Sequence, residues 1–166
     1  MTSAFVWTST GPQPLESLLS LRQRWREEKR TVVTTNGCFD LLHPGHVRFL
    51  QQARNQGDVL IVGLNSDESV RRLKGPGRPL ISQEDRAAML AALRCVDHVV
   101  IFPELLANDL LALLQPDIHC KGGDYTADTL PEAEIIRQCG GQIRILSFSE
   151  GYSTSELVRL IRERDE

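Results

Sequence analysis

Apolar positions along the chain follow two rhythms. Runs of β-branched and aliphatic residues at 31–35, 59–64, 98–102, 118–121 and 143–148 predict five strands. Between and after them, apolar residues recur at helical spacing over 44–56, 67–73, 83–93, 105–114, 131–139 and 154–164, which predicts helices. Upstream, Leu15, Leu18, Leu19 and Trp25 fit one face of a helix running to about Lys29, with Arg22, Arg24, Arg26 and Glu27 on its wet side. The start before Leu15, with its Thr, Ser, Gly and Pro, reads as a linker, and no internal repeat stands out. Parallel strands need crossover connections, and helices supply them. The expected architecture is therefore α/β: a doubly wound five-stranded parallel sheet with helices on both faces, divided into an extension with its helix at 1–30 and the main domain at 31–166.

A sheet of this kind binds ligands beyond the carboxyl ends of its strands. The residues just after each strand therefore carry the chemistry. The first strand is followed by Asn36-Gly37-Cys38-Phe39-Asp40-Leu41-Leu42-His43-Pro44-Gly45-His46, the second by Asn65-Ser66-Asp67, the fourth by Gly122-Gly123-Asp124-Tyr125, and the fifth by Glu150-Gly151-Tyr152-Ser153-Thr154-Ser155. Pro44 suits a first helical position, and Gly45 clears the helix mouth so that a phosphate can approach the backbone. His43 and His46, one turn apart, reach the same anion. The same pair also fits core or surface packing, and a metal site lacks a third ligand at suitable spacing.

Composition narrows the classes. With 166 residues, 41% hydrophobic and 25% charged, the chain is sized for one globular domain and has no disordered or coiled-coil bias. The longest apolar run, residues 87–93, is far too short to cross a bilayer. Nineteen basic against 22 acidic side chains give a net charge of −3, which argues against broad binding to nucleic acid or anionic membrane. Cys38, Cys95, Cys120 and Cys139 show no zinc or redox spacing and read as reduced thiols. No basic start followed by a hydrophobic stretch opens the chain, so a cytoplasmic location is expected. GxGxxG after the first strand and GxxxxGK[ST] are both missing, which disfavours a dehydrogenase and a P-loop kinase.

Residues 37–46 resemble the GxFDxxHxGH signature of the cytidylyltransferase-like nucleotidyltransferases, a Rossmann-like fold distantly related to the class I aminoacyl-tRNA synthetases. Tyr152-Ser153-Thr154-Ser155 resembles the family's second signature, with Ser155 where threonine is more frequent; these residues also read as an ordinary N-cap. Arg71, Arg72, Lys74, Arg78 and Arg86, five cations within sixteen residues, look like its basic loop and following helix, though a solvated loop reads the same way. Gly75 and Gly77 give the Lys74 segment freedom to close over a triphosphate. Thr35 to Asp40, Asn65-Ser66-Asp67, Arg72 to Gly75, Val96-Asp97 and Lys121 to Tyr125 are most similar to one branch, the adenylyltransferases acting on D-glycero-β-D-manno-heptose 1-phosphate. The 1–30 extension and residues 130–138 match that branch less well.

The resemblance implies adenylyl transfer from ATP to that sugar 1-phosphate with release of pyrophosphate, giving ADP-heptose for lipopolysaccharide. It implies catalytic roles for His43, His46 and Lys74. Nucleotide contacts fall on Asn36, Gly37, Cys38, Phe39, Gly45, Lys121, Gly123, Ser153, Thr154 and Ser155, and acceptor contacts on Asp40, Asn65, Asp67, Arg78, Arg86 and Asp124. Mg²⁺ is implied as the cofactor, its ligands not legible. A homodimer is plausible on family habit, and a chain this short leaves the pathway's kinase and phosphatase to separate proteins. Cytidylyl transfer to a small phosphorylated alcohol such as glycerol 3-phosphate is the alternative within the superfamily. A nucleotide-binding module without turnover is the alternative outside it.

Overall fold

A computed structural model describes residues 5–123, 125–147 and 153–164. Its elements run β1 (Phe5–Thr8), β2 (Gly11–Pro14), α1 (Leu15–Glu27), β3 (Val32–Gly37), α2 (Pro44–Arg54), β4 (Val59–Asn65), α3 (Asp67–Lys74), α4 (Gln83–Ala91), β5 (His98–Phe102), α5 (Asn108–Leu114), β6 (Ile118–Gly122), α6 (Ala133–Gln138), β7 (Gln142–Leu146) and α7 (Thr154–Arg164). The seven strands lie in the order β2-β1-β5-β4-β3-β6-β7. From β5 to β7 every pairing is parallel. These are the five strands predicted from the hydrophobic runs.

Successive side chains of a strand point to opposite faces, and here both faces are covered. Val33, Leu60, Val62, Leu64, Val99, Ile101 and Cys120 pack under α2 and α4, against Phe49, Leu50, Ala53, Ala87 and Leu90. Their neighbours Val32, Val59, Ile61, Val100 and Phe102 pack on the other side, against Leu18 and Trp25 of α1, Leu110, Leu111 and Leu114 of α5, and Ile136 of α6. All of β4 is buried, as a central strand between two helical layers should be.

At the opposite end from the carboxyl edge, aspartates tie the strand starts together. Asp58 accepts from the Thr31 amide, Asp97 from Leu60 and Asp117 from Val32, at 2.7 to 2.8 Å. Arg22 of α1, 5% exposed, donates to the carbonyls of Leu114 and Gln115 and to Asp117, which fixes α1 to the end of α5.

The structure corrects the expectation at the N-terminus. The segment read as a linker is a β-hairpin: β1 pairs antiparallel with β2 and with β5, and Val6 is buried opposite Val100. The sheet is therefore seven-stranded and mixed rather than five-stranded and parallel. Pro12 and Pro14 fall on β2, the outer strand, where a missing N–H costs no ladder bond. Four-residue strands carrying two prolines leave too short an alternation to read. The helix expected from 105 begins at Asn108; Leu105 and Leu106 precede it, partly exposed at the carboxyl edge of the sheet. Phe148, the expected end of the last strand, lies outside the described residues.

The chain runs from β3 outward to β4 and β5, then returns across to β6 on the other side of β3. This reversal opens a crevice at the carboxyl ends of β3, β4 and β6. At the opposite end, the turn into β7 leaves no room: a Cβ on Gly141 would lie 2.5 Å from the Pro116 carbonyl oxygen. Gly141→Ala should therefore destabilise the protein by about 1–3 kcal/mol. Gly77→Ala, where an added Cβ meets nothing within 4 Å, should stay within about 0.5 kcal/mol of wild type. Urea denaturation of both variants measures the contrast.

Candidate active site

A cleft of about 600 Å³ opens at this reversal. It is lined by Asn36, Gly37, Cys38, Phe39, Asp40, His43, His46, Asn65, Lys74, Arg78, Lys121, Ser153, Thr154 and Ser155 among the residues named from sequence. It is also lined by Val70, Leu73, Leu105, Leu106, Tyr125, Pro131 and Glu132, which sequence reasoning did not single out for the site. Gly45 is buried inside the first turn of α2, and Gly45, Gly123, Asp67 and Arg86 are not brought to the cleft wall. Asp124 lies outside the described residues.

The histidine pair is built by the start of α2. Pro44 occupies the first helical position and His43 caps it, its Nδ1 accepting from the His46 backbone N–H at 3.3 Å. That bond leaves the proton of neutral His43 on Nε2. The two imidazoles stack with centroids 3.7 Å apart at 19°, and the Phe39 ring lies 5.2 Å from His46. Burial, and then the His43 ring beside it, push His46 down to about 4. Burial also lowers His43. Near pH 7 both are neutral hydrogen-bond donors at a helix N-terminus, a combination that receives an anion without a second buried charge.

Phe39 takes φ +45, and Gly37 makes room for its ring, since a Cβ there would approach Phe39 Cε2 to 3.0 Å. A bulky residue held at positive φ marks a turn imposed by its surroundings. Asp40 shows what imposes it. Its Oδ1 accepts from the amides of Leu80 and Ile81, and its Oδ2 from Arg78 at 2.7 Å, so this carboxylate pins the loop between α3 and α4.

Arg86, its side chain 0% exposed, completes the frame from behind. It donates to the carbonyls of Ile81 and Cys38 and pairs with Asp67 Oδ1 at 2.7 Å. Arg86 and Asp67 spend their charges on each other, as an internal brace. Asn65 is likewise engaged, donating to Ser69 Oγ at 2.9 Å while Cys38 Sγ lies 4.0 Å from its Oδ1. Burial pushes the Cys38 thiol up, so it stays protonated and unreactive.

Lys74 is the last residue of α3, followed by Gly75 at φ +96, and among the described residues it forms no ion pair. Across the cleft, Ser153 caps α7 by accepting from the Glu156 amide at 3.0 Å, and Thr154 Oγ1 donates to the Leu41 carbonyl of the histidine loop at 3.5 Å. At the far side Lys121 Nζ donates to Asn36 Oδ1 at 2.7 Å and to Glu132 Oε1 at 3.2 Å. Burial, the largest single influence, would raise Glu132, but Lys121, the Asn36 hydrogen bond and His119 together outweigh it and hold the carboxyl below its usual range. His119, behind on β6, is fully buried, bonded to Thr34 Oγ1 at 2.9 Å, and kept neutral by burial with a pKa of about 3.

These parts, a neutral histidine pair on a helix N-terminus, a lysine with no ion pair among the described residues and a second helix start, make a site for aligning a polyanion. The cytidylyltransferase-like family matches residues 34–160, and the chain belongs to it. It is a nucleotidyltransferase. The chain is 50% identical over 151 residues to the bifunctional protein HldE of Syntrophotalea carbinolica, covering 91% of this chain and 31% of that protein. It is 48% identical over 147 residues to HldE of Geobacter sulfurreducens, covering 89% and 30%. The chain thus spans about a third of the length of these curated relatives. A solved lipopolysaccharide core biosynthesis protein from Thermoplasma volcanium superposes with TM-score 0.60 at 28% identity, covering 75% of this chain and 99% of that one. Pantoate-beta-alanine ligase from Francisella tularensis, at 13% identity, TM-score 0.54 and coverage of 92% and 76%, shares the fold.

Two outcomes follow from the geometry. Arg86→Met leaves Asp67 and two carbonyls without their partner, and should cost roughly 3 kcal/mol of stability in thermal or urea melts. The second is a pH dependence. Unfolded histidine protonates near its ordinary 6.5, whereas folded His46 stays neutral down to about 4. Between those values the unfolded chain binds more protons, so stability is full above about pH 6.5 and falls as pH drops toward 4. Thermal melts from pH 7.5 to 4.5 should show that slope, and His46→Asn should make it shallower.

Proposed function

We propose that this cleft transfers the adenylyl group of ATP to D-glycero-β-D-manno-heptose 1-phosphate, releasing pyrophosphate and ADP-heptose. The observation that carries the reading is the stacked His43–His46 pair facing Lys74 and the start of α7 in one cleft. The choice of acceptor rests on the resemblance of Thr35 to Asp40, Asn65-Ser66-Asp67, Arg72 to Gly75, Val96-Asp97 and Lys121 to Tyr125 to the heptose 1-phosphate adenylyltransferases, and relatives near 50% identity, named bifunctional protein HldE, support it.

In this scheme a phosphate oxygen of the sugar attacks the α-phosphorus of ATP, and the bond from α-phosphorus to the oxygen bridging to the β-phosphate breaks. The electron pair leaves with pyrophosphate, and no covalent enzyme intermediate forms. Both reactants are anions, so alignment and charge stabilisation dominate. His43 and His46 donate to the triphosphate as charge develops, and Lys74 meets it from the end of α3. Ser153, Thr154 and the amides opening α7 hold the leaving phosphates. Arg78, steadied by Asp40, stands at the acceptor side of the cleft.

Mg²⁺ enters with the triphosphate as part of the substrate. Among the described residues no three His, Cys, Asp or Glu side chains gather to hold a metal. Of the cleft carboxylates, Asp40 is taken up by Arg78 and by the Leu80 and Ile81 amides, and Glu132 shares one oxygen with Lys121, so the triphosphate oxygens would be the main ligands of Mg²⁺. A sugar kinase and a phosphatase acting beforehand would make the acceptor. Among the described residues no helix is long and apolar enough to cross a membrane. A cytoplasmic homodimer fits this reading, and light scattering measures the oligomeric part of it.

Pyrophosphate release should be at least tenfold more efficient in kcat/KM with ATP than with CTP when the heptose 1-phosphate is the acceptor. Equal or better efficiency with CTP would move the assignment to the cytidylyl branch. His46→Ala should lower kcat by ~10²- to 10³-fold, the usual loss when one preorganised donor to a transition-state anion is removed. His46→Asn should recover part of it. A well-folded His46→Ala enzyme that keeps more than about a tenth of wild-type kcat would remove His46 from the chemistry.

A further inference from the structure

The end of the cleft away from the histidines is built differently. Glu132 is 2% exposed, and its Oε1 receives both Asn36 Nδ2 at 3.1 Å and Lys121 Nζ at 3.2 Å. Its other oxygen, Oε2, is buried with no hydrogen-bond partner among the described residues. An ionised carboxylate oxygen left without a donor in the interior is expensive, and such groups in a folded protein call for a missing partner. Lys121 shows the complementary feature. Its ammonium has three N–H groups, and among the described residues two acceptors engage it, Asn36 Oδ1 and Glu132 Oε1. Both residues line the cleft.

Among the described residues an acceptor oxygen and a donor N–H therefore remain on a pair with no net charge, with His119 Nε2, also buried without a hydrogen-bond partner, as a further group acting on Glu132. Such a pair does not attract phosphate, because the Lys121 charge is already neutralised by Glu132. It fits a group that gives one hydrogen bond and takes another from adjacent atoms, which is what two vicinal hydroxyls do. We propose that the Lys121–Glu132 pair binds a vicinal diol of a sugar, with Glu132 Oε2 accepting from one hydroxyl and Lys121 donating to the other. This rests on the cleft being a nucleotidyl-transfer site, where two sugars meet: the ribose of the nucleotide and the acceptor. Glu132 is then a specificity-determining residue, and Asn36 orients it.

Titration of the full chain with α,β-methylene-ATP and with its 2′,3′-dideoxy form, with no acceptor present, tests the ribose. Wild type should bind the diol-bearing form roughly ten- to a hundredfold more tightly, the worth of one to two hydrogen bonds to charged groups. Glu132→Gln should shrink that ratio. The Lys121→Met/Glu132→Leu double variant, which removes both charges together and so leaves neither buried alone, should bring it below about threefold with affinity for the dideoxy form retained. Steady-state kinetics on the same double variant, with whichever sugar phosphate the wild type turns over, test the other source. A tenfold or greater rise in acceptor KM with kcat held and the nucleotide ratio unchanged assigns the diol to the acceptor. An unchanged nucleotide ratio together with an unchanged acceptor KM overturns the proposal. Because the titration needs no acceptor, a wrong heptose assignment leaves its result intact.

Discussion

The site depends on one buried guanidinium. Arg86 reaches from α4 to the Cys38 carbonyl at the exit of β3, to the Ile81 carbonyl of the loop before α4, and to Asp67 at the start of α3. Those three segments carry, respectively, the histidine loop, the contacts to Asp40, and the helix that ends in Lys74. Backbone carbonyls at a strand exit have no ladder partner, and a buried fork of N–H donors is an economical way to satisfy several of them at once. Once Cys38 is held, Phe39 takes its positive φ and Asp40 turns toward the loop amides. The first turn of α2 then presents His43 and His46 to the cleft. The histidine loop and the end of α3 are therefore placed by a residue that does not itself line the cleft.

Charge is distributed around the cleft with the same restraint. A chain of net charge −3 needs a local anion site. Most cations near the cleft are nevertheless neutralised: Arg78 by Asp40, Arg86 by Asp67, and Lys121 by Glu132. Lys74 remains, together with two neutral imidazoles and two helix starts. Donors that carry no formal charge cost less to bury than cations, and they strengthen as negative charge develops on the group they face. In the proposed adenylyl transfer this would favour the transition state over the bound substrate, which is the requirement for acceleration.

Legibility in the sequence followed the length of each signal. The parallel strands were readable because each holds β-branched or aliphatic residues, most plainly β4, which is buried throughout, and even the edge strand β7 keeps its alternating isoleucines although none of its residues is fully buried; the histidine loop was readable because ten consecutive positions form one pattern. The hairpin of β1 and β2 was not, since four-residue strands with prolines carry too little periodicity. Asp67 and Arg86 were expected at the acceptor, yet they meet each other across nineteen residues of chain, and no local pattern encodes that pairing. Glu132 escaped notice for a related reason. In the sequence it is one acid in a segment of ordinary helical spacing, and only the closure of β6 against β3 brings it to Lys121 and Asn36, which lies 96 residues away.

The two ends of the cleft thus ask for different chemistry from one ligand set. Near α2 and α7, two neutral imidazoles, Lys74 and two helix starts suit phosphates. Near β6, a neutral ion pair with one acceptor and one donor left over suits hydroxyls. A nucleoside triphosphate and a sugar phosphate each have a charged end and a hydroxylated end. A crevice polarised in this way orients such molecules before any bond changes, because reversing them would set phosphate beside Glu132 and hydroxyls beside the histidines. In the proposed reaction, alignment of two anions for in-line attack would come largely from the placement of charge along the cleft, and the strand order that puts β6 and β4 on either side of β3 is what separates its two ends.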